Sequence, residues 1–209
     1  MGGLGRGSNT LLRALLGGTF DPVTLGHTAA ACAVRDALGC TVELLPNRQS
    51  PFKSAPSDDA HRLAMLALAC AEHEGLSVNP IELTLAPPSY SVRTLEHLAG
   101  EEPLVFCLGT DAFAQVDRWQ SPHRLLELAG VVVLGRPGFP LPARPHGWPV
   151  QASLTEFKQD PVGRWTHLPF AAIESASSGV RNARAHGGPW QAWLAHGVAE
   201  YIKDHNLYE

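Results

Sequence analysis

The fold class is indicated by the stretch Gly17-Gly18-Thr19-Phe20-Asp21-Pro22-Val23-Thr24-Leu25-Gly26-His27. It follows an apolar run, Leu11 to Leu16, that predicts a first β-strand, and it leads into a segment that predicts a helix from about Gly26 to Leu38. Gly39 stands where a C-terminal helix cap is expected. Open α/β sheets bind ligands outside the carboxyl ends of their strands, so the turn between this strand and this helix is a candidate ligand site.

The residue types in this turn favour a phosphate as the ligand. Gly17 and Gly18 have no Cβ, so the backbone can approach a phosphate closely. Gly26 and His27 fall at the start of the predicted helix, where unpaired N–H groups and the helix dipole favour an anion. An imidazole there can donate a hydrogen bond as charge builds on a phosphoryl group, although a lone histidine at a helix start is more often a solvated or capping residue.

Further strands and helices are predicted along the chain by the alternation of apolar runs with amphipathic segments. Strands are expected at Thr41 to Leu45, Leu76 to Leu85, Pro103 to Leu108 and Val131 to Leu134. Helices are expected from Ser57 to about Glu72, from Ser91 to Leu98 and over much of Ser177 to Tyr208, with a proline-rich loop at 136–149. The fold class is therefore α/β, a Rossmann-like doubly wound parallel sheet with a helical C-terminal part. Residues 1–10 are expected to form a flexible tail and residues 11–209 a single domain.

Composition excludes several classes of protein. A net charge of −4 over 209 residues gives no reason to expect nucleic-acid binding, and no apolar run reaches the length of a membrane span. The four cysteines include no C-x-x-C pair and the histidines show no metal-ligand spacing, so no metal site of the protein's own is predicted. We expect a cytoplasmic protein with reduced thiols. The sequence leaves the oligomeric state open, a homo-oligomer included.

Two other phosphate-binding motifs are absent. The sequence contains no G-x-x-x-x-G-K-[ST], and Gly17-Gly18 does not extend into G-x-G-x-x-G. The second predicted strand does not end in an acidic residue that could hold a ribose, so a dinucleotide-dependent dehydrogenase is poorly supported.

The stretch at 17–27 resembles the G-x-F-x-P-x-[HT]-x-G-H signature of the nucleotidyltransferase superfamily. Later motifs are similar, in order and spacing, to those of bacterial nicotinate mononucleotide adenylyltransferases, over nearly the whole chain from about Leu12 to Tyr208. They are Pro46-Asn47, Pro51-Phe52-Lys53, Pro88-Ser89-Tyr90-Ser91, Leu108-Gly109-Thr110-Asp111 with Trp119, Arg136-Pro137-Gly138 and the closing Tyr201-Ile202 to Leu207-Tyr208. The resemblance implies the nucleotidyltransferase fold and transfer of AMP from ATP to nicotinate mononucleotide. The resemblance also implies that Mg²⁺ is the cofactor and that it binds together with ATP.

The resemblance assigns two sets of residues to the ATP side of the reaction. The expected ATP-binding residues are Gly17, Gly18, Thr19, Phe20, Gly26, His27, Ser177, Ser178 and Arg181. Three residues are expected to act in catalysis: His27, Thr24 and Arg181.

On the acceptor side, the resemblance implies that Asn47 and Lys53 hold the mononucleotide phosphate. The remaining expected residues are Tyr90, Ser91 and Trp119 around the nicotinate ring, Asp111 near the ribose, and Arg136. Simpler interpretations stay open for four of them. Lys53 could be a solvated loop lysine and Trp119 a core residue. Asp111 could cap a helix, and Arg136 could form a surface ion pair.

The chain departs from the family pattern at two places. Thr24 stands where nicotinate-type members usually carry histidine, and Ser175-Ala176 replaces the Ile-Ser of a later I-S-S-T-x-I-R signature. The T-x-G-H form is similar to that of phosphopantetheine adenylyltransferases, which are shorter and lack the features at Tyr90-Ser91 and Trp119. Two alternatives therefore remain: adenylylation of another acceptor such as phosphopantetheine, or a catalytically silent nucleotide-binding module.

Overall fold

A parallel sheet of six strands, in the order β3-β2-β1-β4-β5-β6, forms the centre of the described structure. The computed structural model describes residues 12–49, 56–135, 140–170 and 176–209, so the predicted tail at residues 1–10 lies outside the described residues. The strands are β1 (Arg13–Gly18), β2 (Thr41–Pro46), β3 (Leu76–Val78), β4 (Leu104–Gly109), β5 (Ala129–Leu134) and β6 (Trp165–Leu168). All neighbouring pairs are parallel.

Helices connect the strands and cover both faces of the sheet. They are α1 (Leu25–Leu38), α2 (Asp59–Ala71), α3 (Ile81–Thr84), α4 (Ser91–Leu98), α5 (Thr110–Phe113), α6 (Pro122–Leu128), α7 (Leu154–Gln159), α8 (Ser177–Ala185) and α9 (His196–Asp204). Gly39 ends α1 with φ 69°, as the cap prediction requires. None of these described helices is both long and apolar enough to cross a membrane.

Each face of the sheet has its own hydrophobic cluster. Along β1, Ala14 and Leu16 point into a cluster shared with α1, α2 and α9. Leu15 points into a second cluster, shared with α4 and α6 on the other face. Alternation of side chains along a strand produces this division, and β5 is buried throughout because helices cover both of its faces. The predicted doubly wound parallel sheet is confirmed.

The order of the strands reverses at β1. This strand pairs with β2 on one side and with β4 on the other, and the chain moves outward from β1 in both directions. Helical connections therefore leave β1 and β4 toward opposite faces, which opens a crevice at the carboxyl ends of these two strands. The turn at 17–27 and Gly109-Thr110-Asp111 both lie at this edge.

Two parts of the sheet differ from the sequence-based prediction. The predicted strand Leu76 to Leu85 is wrong beyond Val78, where the chain turns into α3. Asn79 Oδ1 accepts the main-chain N–H of Ile81 at 3.0 Å, and Pro80 has no N–H to donate to a neighbouring strand. The sequence analysis missed β6, because a four-residue strand that contains a threonine and a histidine has no recognisable apolar run.

Candidate active site

The aromatic ring of Phe20 explains one of the two glycines in the turn. Phe20 is buried and has a φ of 49°, and its ring lies across Gly18, where a Cβ would come within 2.7 Å of it. A Cβ on Gly17 would instead make ordinary contact, at 3.5 Å, with the ring of Phe106. Packing inside the turn therefore demands glycine at position 18, whereas position 17 has room for a side chain.

His27 is held by two groups of Thr24, the residue that precedes α1. The main-chain N–H of Thr24 donates to His27 Nδ1 at 3.0 Å, and Thr24 Oγ1 lies 2.9 Å from the same nitrogen. A main-chain N–H can only donate, so Nδ1 is the acceptor and the neutral ring carries its proton on Nε2. The ring also stands edge-on to Phe20, with centroids 5.1 Å apart. The structure thus places Thr24, predicted as catalytic, against the imidazole whose tautomer it sets.

Residues from the C-terminal part hold the backbone of the same turn. The Ser177 hydroxyl donates to the Pro22 carbonyl at 2.9 Å, and Arg181 Nη1 donates to the Asp21 carbonyl at 2.5 Å. Both residues lie on α8, as does the exposed Ser178. Ala176 occupies the N-cap position of this helix and offers no side-chain cap. The predicted residues Ser177 and Arg181 are therefore brought to the turn, where they contact its main chain.

The buried carboxylate of Asp21 accepts two hydrogen bonds. Tyr208 donates its hydroxyl hydrogen to Asp21 Oδ1 at 2.6 Å, and the main-chain N–H of Ser57 donates to Asp21 Oδ2 at 3.1 Å. Burial and the hydrogen bond to Asp21 raise the pKa of the Tyr208 hydroxyl well above its usual range. Both carboxylate oxygens of Asp21 are thus occupied in holding the turn.

Arg62 on α2 is a functional candidate that the sequence analysis missed. Its side chain is fully buried, and Nη1 donates to the Thr19 carbonyl at 2.9 Å while Nε donates to the Ser57 carbonyl at 3.2 Å. Nη2 forms an ion pair with Asp59. The signal was present in the sequence, because Arg62 occupies the same helical stripe as the buried Met65 and Leu66 three and four positions later.

On the acceptor side, Asn47 follows β2 and lies directly beside the turn. Its main-chain N–H donates to the Gly18 carbonyl at 2.9 Å, and its amide nitrogen lies 3.3 Å from Thr19 Oγ1. The amide oxygen is buried and has no hydrogen-bond partner among the described residues. With the amide O and N of Asn47 exchanged, the Thr19 hydroxyl donates to the amide oxygen, and the NH₂ group is the one left without a partner. That group would suit a phosphate.

Two of the three residues predicted around the ring, Tyr90 and Trp119, pack against the second hydrophobic cluster. Tyr90 is the N-cap of α4 and Ser91 its first residue. Trp119 ends the short 3-10 turn that follows α5, and its indole stands edge-on to Phe106 with centroids 6.4 Å apart. Tyr90 and Trp119 are both partly buried against this one cluster, so the fold brings them to the same face of the sheet.

Two of the remaining predicted residues, Asp111 and Gly26, lie in the described part of the chain. Asp111 is exposed in the first turn of α5, and its Oδ1 would lie only 2.6 Å from a Cβ added to Gly109. Gly26 is the second residue of α1. Lys53 and Arg136 lie outside the described residues. Within the described part of the chain, no group of three or more His, Cys, Asp or Glu side chains could hold a metal ion.

Comparison with known proteins agrees with this geometry. The cytidylyltransferase-like family model matches residues 15–178. A protein of Stenotrophomonas maltophilia, named "probable nicotinate-nucleotide adenylyltransferase", is 39% identical, and the match covers 94% of this chain and 96% of the relative. A Roseiflexus relative with the same name is 36% identical, with coverage of 93% and 96%.

A solved structure shares the fold. Plasmodium falciparum nicotinic acid mononucleotide adenylyltransferase, complexed with NaAD, superposes with a TM-score of 0.71 at 17% identity, covering 95% of this chain and 97% of that one. The family model covers most of the chain, and the curated relatives exceed 30% identity over nearly all of it. The predicted nucleotidyltransferase is thereby confirmed, and the chain belongs to the cytidylyltransferase-like family, in its group of nicotinate-nucleotide adenylyltransferases.

Proposed function

We propose that the protein transfers AMP from ATP to nicotinate mononucleotide, giving nicotinate adenine dinucleotide and pyrophosphate in a step of NAD biosynthesis. The observation that carries this proposal is the turn after β1. There an imidazole with its proton on Nε2 stands at the start of a helix, at the point where the strand order reverses. The names of the relatives supply the acceptor.

The reaction is an in-line attack of a mononucleotide phosphate oxygen on the α-phosphorus of ATP. A bond forms between that oxygen and the phosphorus, the bond to the β-phosphate oxygen breaks, and pyrophosphate leaves. Little covalent work falls to the protein, so positioning and charge stabilisation supply the catalysis. In this scheme His27 Nε2–H donates to a phosphoryl oxygen as negative charge builds on it.

Binding of the two substrates would divide along the crevice. The α8 residues Ser177, Ser178 and Arg181 and the turn would meet ATP, while Asn47 and Lys53 would hold the acceptor phosphate. Tyr90, Ser91 and Trp119 would enclose the ring. Mg²⁺ would arrive with ATP, since Mg²⁺ readily takes phosphate oxygens and water as ligands, and it would neutralise charge on the phosphates.

We also place the reaction in the cytoplasm. All four cysteines, Cys32, Cys40, Cys70 and Cys107, are free thiols in the structure. Free thiols persist in a reducing compartment, where ATP is also at hand.

Thr24 favours a second candidate acceptor, phosphopantetheine, because the T-x-G-H form is shared with the enzymes that adenylylate it. Pyrophosphate release should be measured with ATP, Mg²⁺ and each of three acceptors: nicotinate mononucleotide, nicotinamide mononucleotide and phosphopantetheine. We expect nicotinate mononucleotide to be used better than phosphopantetheine. Equal or faster turnover of phosphopantetheine would overturn the assignment, and no release with any acceptor would favour a silent nucleotide-binding module.

A further inference from the structure

Glu82 on α3 is a buried carboxylate that the reaction scheme does not use. The residue is 6% exposed, and no Lys, Arg or His side chain in the described part of the chain forms an ion pair with it within 4.0 Å. Burial raises the pKa of this carboxyl group, and hydrogen bonds from the Thr94 and Ser89 hydroxyls oppose that rise. A buried carboxylate without a cationic partner needs such hydrogen-bond donors.

One donor belongs to the helix that begins the predicted ring subsite. Thr94 Oγ1 donates to Glu82 Oε1 at 2.7 Å, and Thr94 is itself buried. It lies on α4, one turn after Tyr90 and Ser91. The main-chain N–H of Thr94 also donates to the Tyr90 carbonyl, at 3.3 Å. Glu82 therefore fixes the start of α4.

Ser89 lies directly before Tyr90, in the segment that leads into α4, and it binds the loop that follows Asn47. Ser89 Oγ accepts the main-chain N–H groups of Arg48 and Gln49 at 3.0 and 3.4 Å, and the Ser89 N–H donates to the Gln49 carbonyl at 2.9 Å. These two residues directly follow Asn47. The segment before α4 is therefore fastened to the loop that carries the predicted phosphate subsite.

Glu82 itself stands on a segment that is fastened to the sheet. Asn79 caps α3 through the N–H of Ile81 and donates to the Glu43 carboxylate on β2 at 2.5 Å. Arg48 Nη1 also donates to the Leu83 carbonyl on α3 at 3.3 Å. The helix that carries Glu82 is thus attached to the loop after Asn47 through Arg48, while the carboxylate itself holds α4 through Thr94.

We infer that Glu82 is a positioning residue for the acceptor: it sets the distance between the phosphate subsite at Asn47 and the ring subsite at Tyr90 and Ser91. The inference rests on the proposed function. A mononucleotide that contacts both subsites at once needs them held at one separation, and small misplacements of such contacts are costly. A ligand that carries only the phosphate has no such requirement.

The test compares Glu82→Ala and Glu82→Gln with the unaltered protein. In Glu82→Ala we expect the KM for nicotinate mononucleotide to rise about ten- to a hundredfold, because hydrogen bonds to a charged group are lost. The KM for ATP should stay unchanged. Glu82→Gln keeps one carbonyl acceptor for Thr94 and should recover much of the affinity. Competitive inhibition by ribose 5-phosphate, which lacks the ring, should change little in any variant.

Two further variants keep the test decisive if Glu82→Ala folds poorly. Thr94→Val removes one donor and leaves Glu82 in place, so it should raise the same KM by a smaller factor. Thr84→Val is the matched control and should change nothing, since in the described part of the chain its hydroxyl donates to the Ile81 carbonyl within α3 and not to Glu82. An unchanged mononucleotide KM in Glu82→Ala, or an equal rise in the KM for ATP, would overturn the inference. If the unaltered protein releases no pyrophosphate with nicotinate mononucleotide, the proposed function fails first, and this inference fails with it.

Discussion

The turn after β1 is held by hydrogen bonds from residues far away along the chain, whereas the predicted ring subsite rests on apolar packing. Asp21 alone accepts from Ser57, 36 residues away, and from Tyr208, 187 residues away. Tyr90 and Trp119 are instead partly buried against a hydrophobic cluster. Donors that stabilise developing charge must be in place before the reaction, while stacking on a ring tolerates small displacements. The difference indicates that rigidity is concentrated where the proposed function places the reacting phosphoryl group.

The largest expected effect comes from His27→Ala. Removal of one donor to developing charge typically lowers kcat about 10²–10³-fold, so turnover should fall on that order while ATP still binds. The KM for nicotinate mononucleotide should stay near its original value, because the ring subsite is untouched. The measurement is kcat and ATP affinity with thermal unfolding on the same sample. Near-normal turnover would remove the catalytic role, and loss of folding would assign His27 a structural one.

Arg62→Met tests the support under the turn. The change leaves the partly buried carbonyls of Thr19 and Ser57 without their donors, and we expect a loss of about 2–3 kcal/mol in the free energy of unfolding. Turnover should fall more than mononucleotide affinity, because Thr19 lies in the turn. Urea unfolding and steady-state kinetics measure the two effects. Arg35→Met, at a partly exposed arginine that donates to the Glu74 carbonyl, is the matched control and should change neither. Stability equal to that of the control would show that Arg62 does not hold the turn.

The smallest effect, and one that depends on pH, is expected of Tyr208→Phe. Burial and the bond to Asp21 raise the pKa of the Tyr208 hydroxyl in the folded protein, so its neutral form is favoured there. Its stabilising effect is full below the unfolded-state pKa of about 10 and is lost as the pH rises above that value. The variant should lose about 1 kcal/mol of stability at pH 8 and should weaken less steeply above pH 10.

Denaturant unfolding between pH 8 and pH 11 measures this difference. Tyr201→Phe serves as the control, since the Tyr201 hydroxyl lies 3.0 Å from His61 and not at the turn. Parallel pH curves for the unaltered protein and Tyr208→Phe would contradict the prediction.

The crevice at the carboxyl end of β1 can be predicted from the sequence because its principal motif is contiguous and follows a regular strand. The turn, β1, α1 and β4 can all be predicted from local periodicity and glycine placement. The supports of the turn could not be predicted in the same way, because each partner is distant in sequence and polar. Arg62 resembles a surface residue of α2 until its register with Met65 and Leu66 is considered.

On the acceptor side, the contact of Glu82 could not be predicted from the sequence either, although its partner is closer along the chain. Nothing in the local pattern around Glu82 signals that its carboxylate meets Thr94, twelve residues later, in a buried contact. The predicted strand over Leu76 to Leu85 even pointed to a different structure for the segment that carries it. Side-chain hydrogen bonds at Asn79 replaced the strand ladder, and propensity alone does not reveal such a substitution.

The hydrogen bonds from Ser177, Arg181 and Tyr208 to the turn also have a consequence for synthesis on the ribosome. The turn is made early, yet the groups that fix Asp21 and Pro22 follow 155 to 187 residues later. Contacts of such high sequence separation form late, after a large loop has been closed. Throughout most of translation the nascent chain therefore carries the predicted phosphate-binding turn without the distant groups that hold it in place. A nucleotide present at that stage meets an unassembled turn, and competence to bind it begins only when the last helices dock.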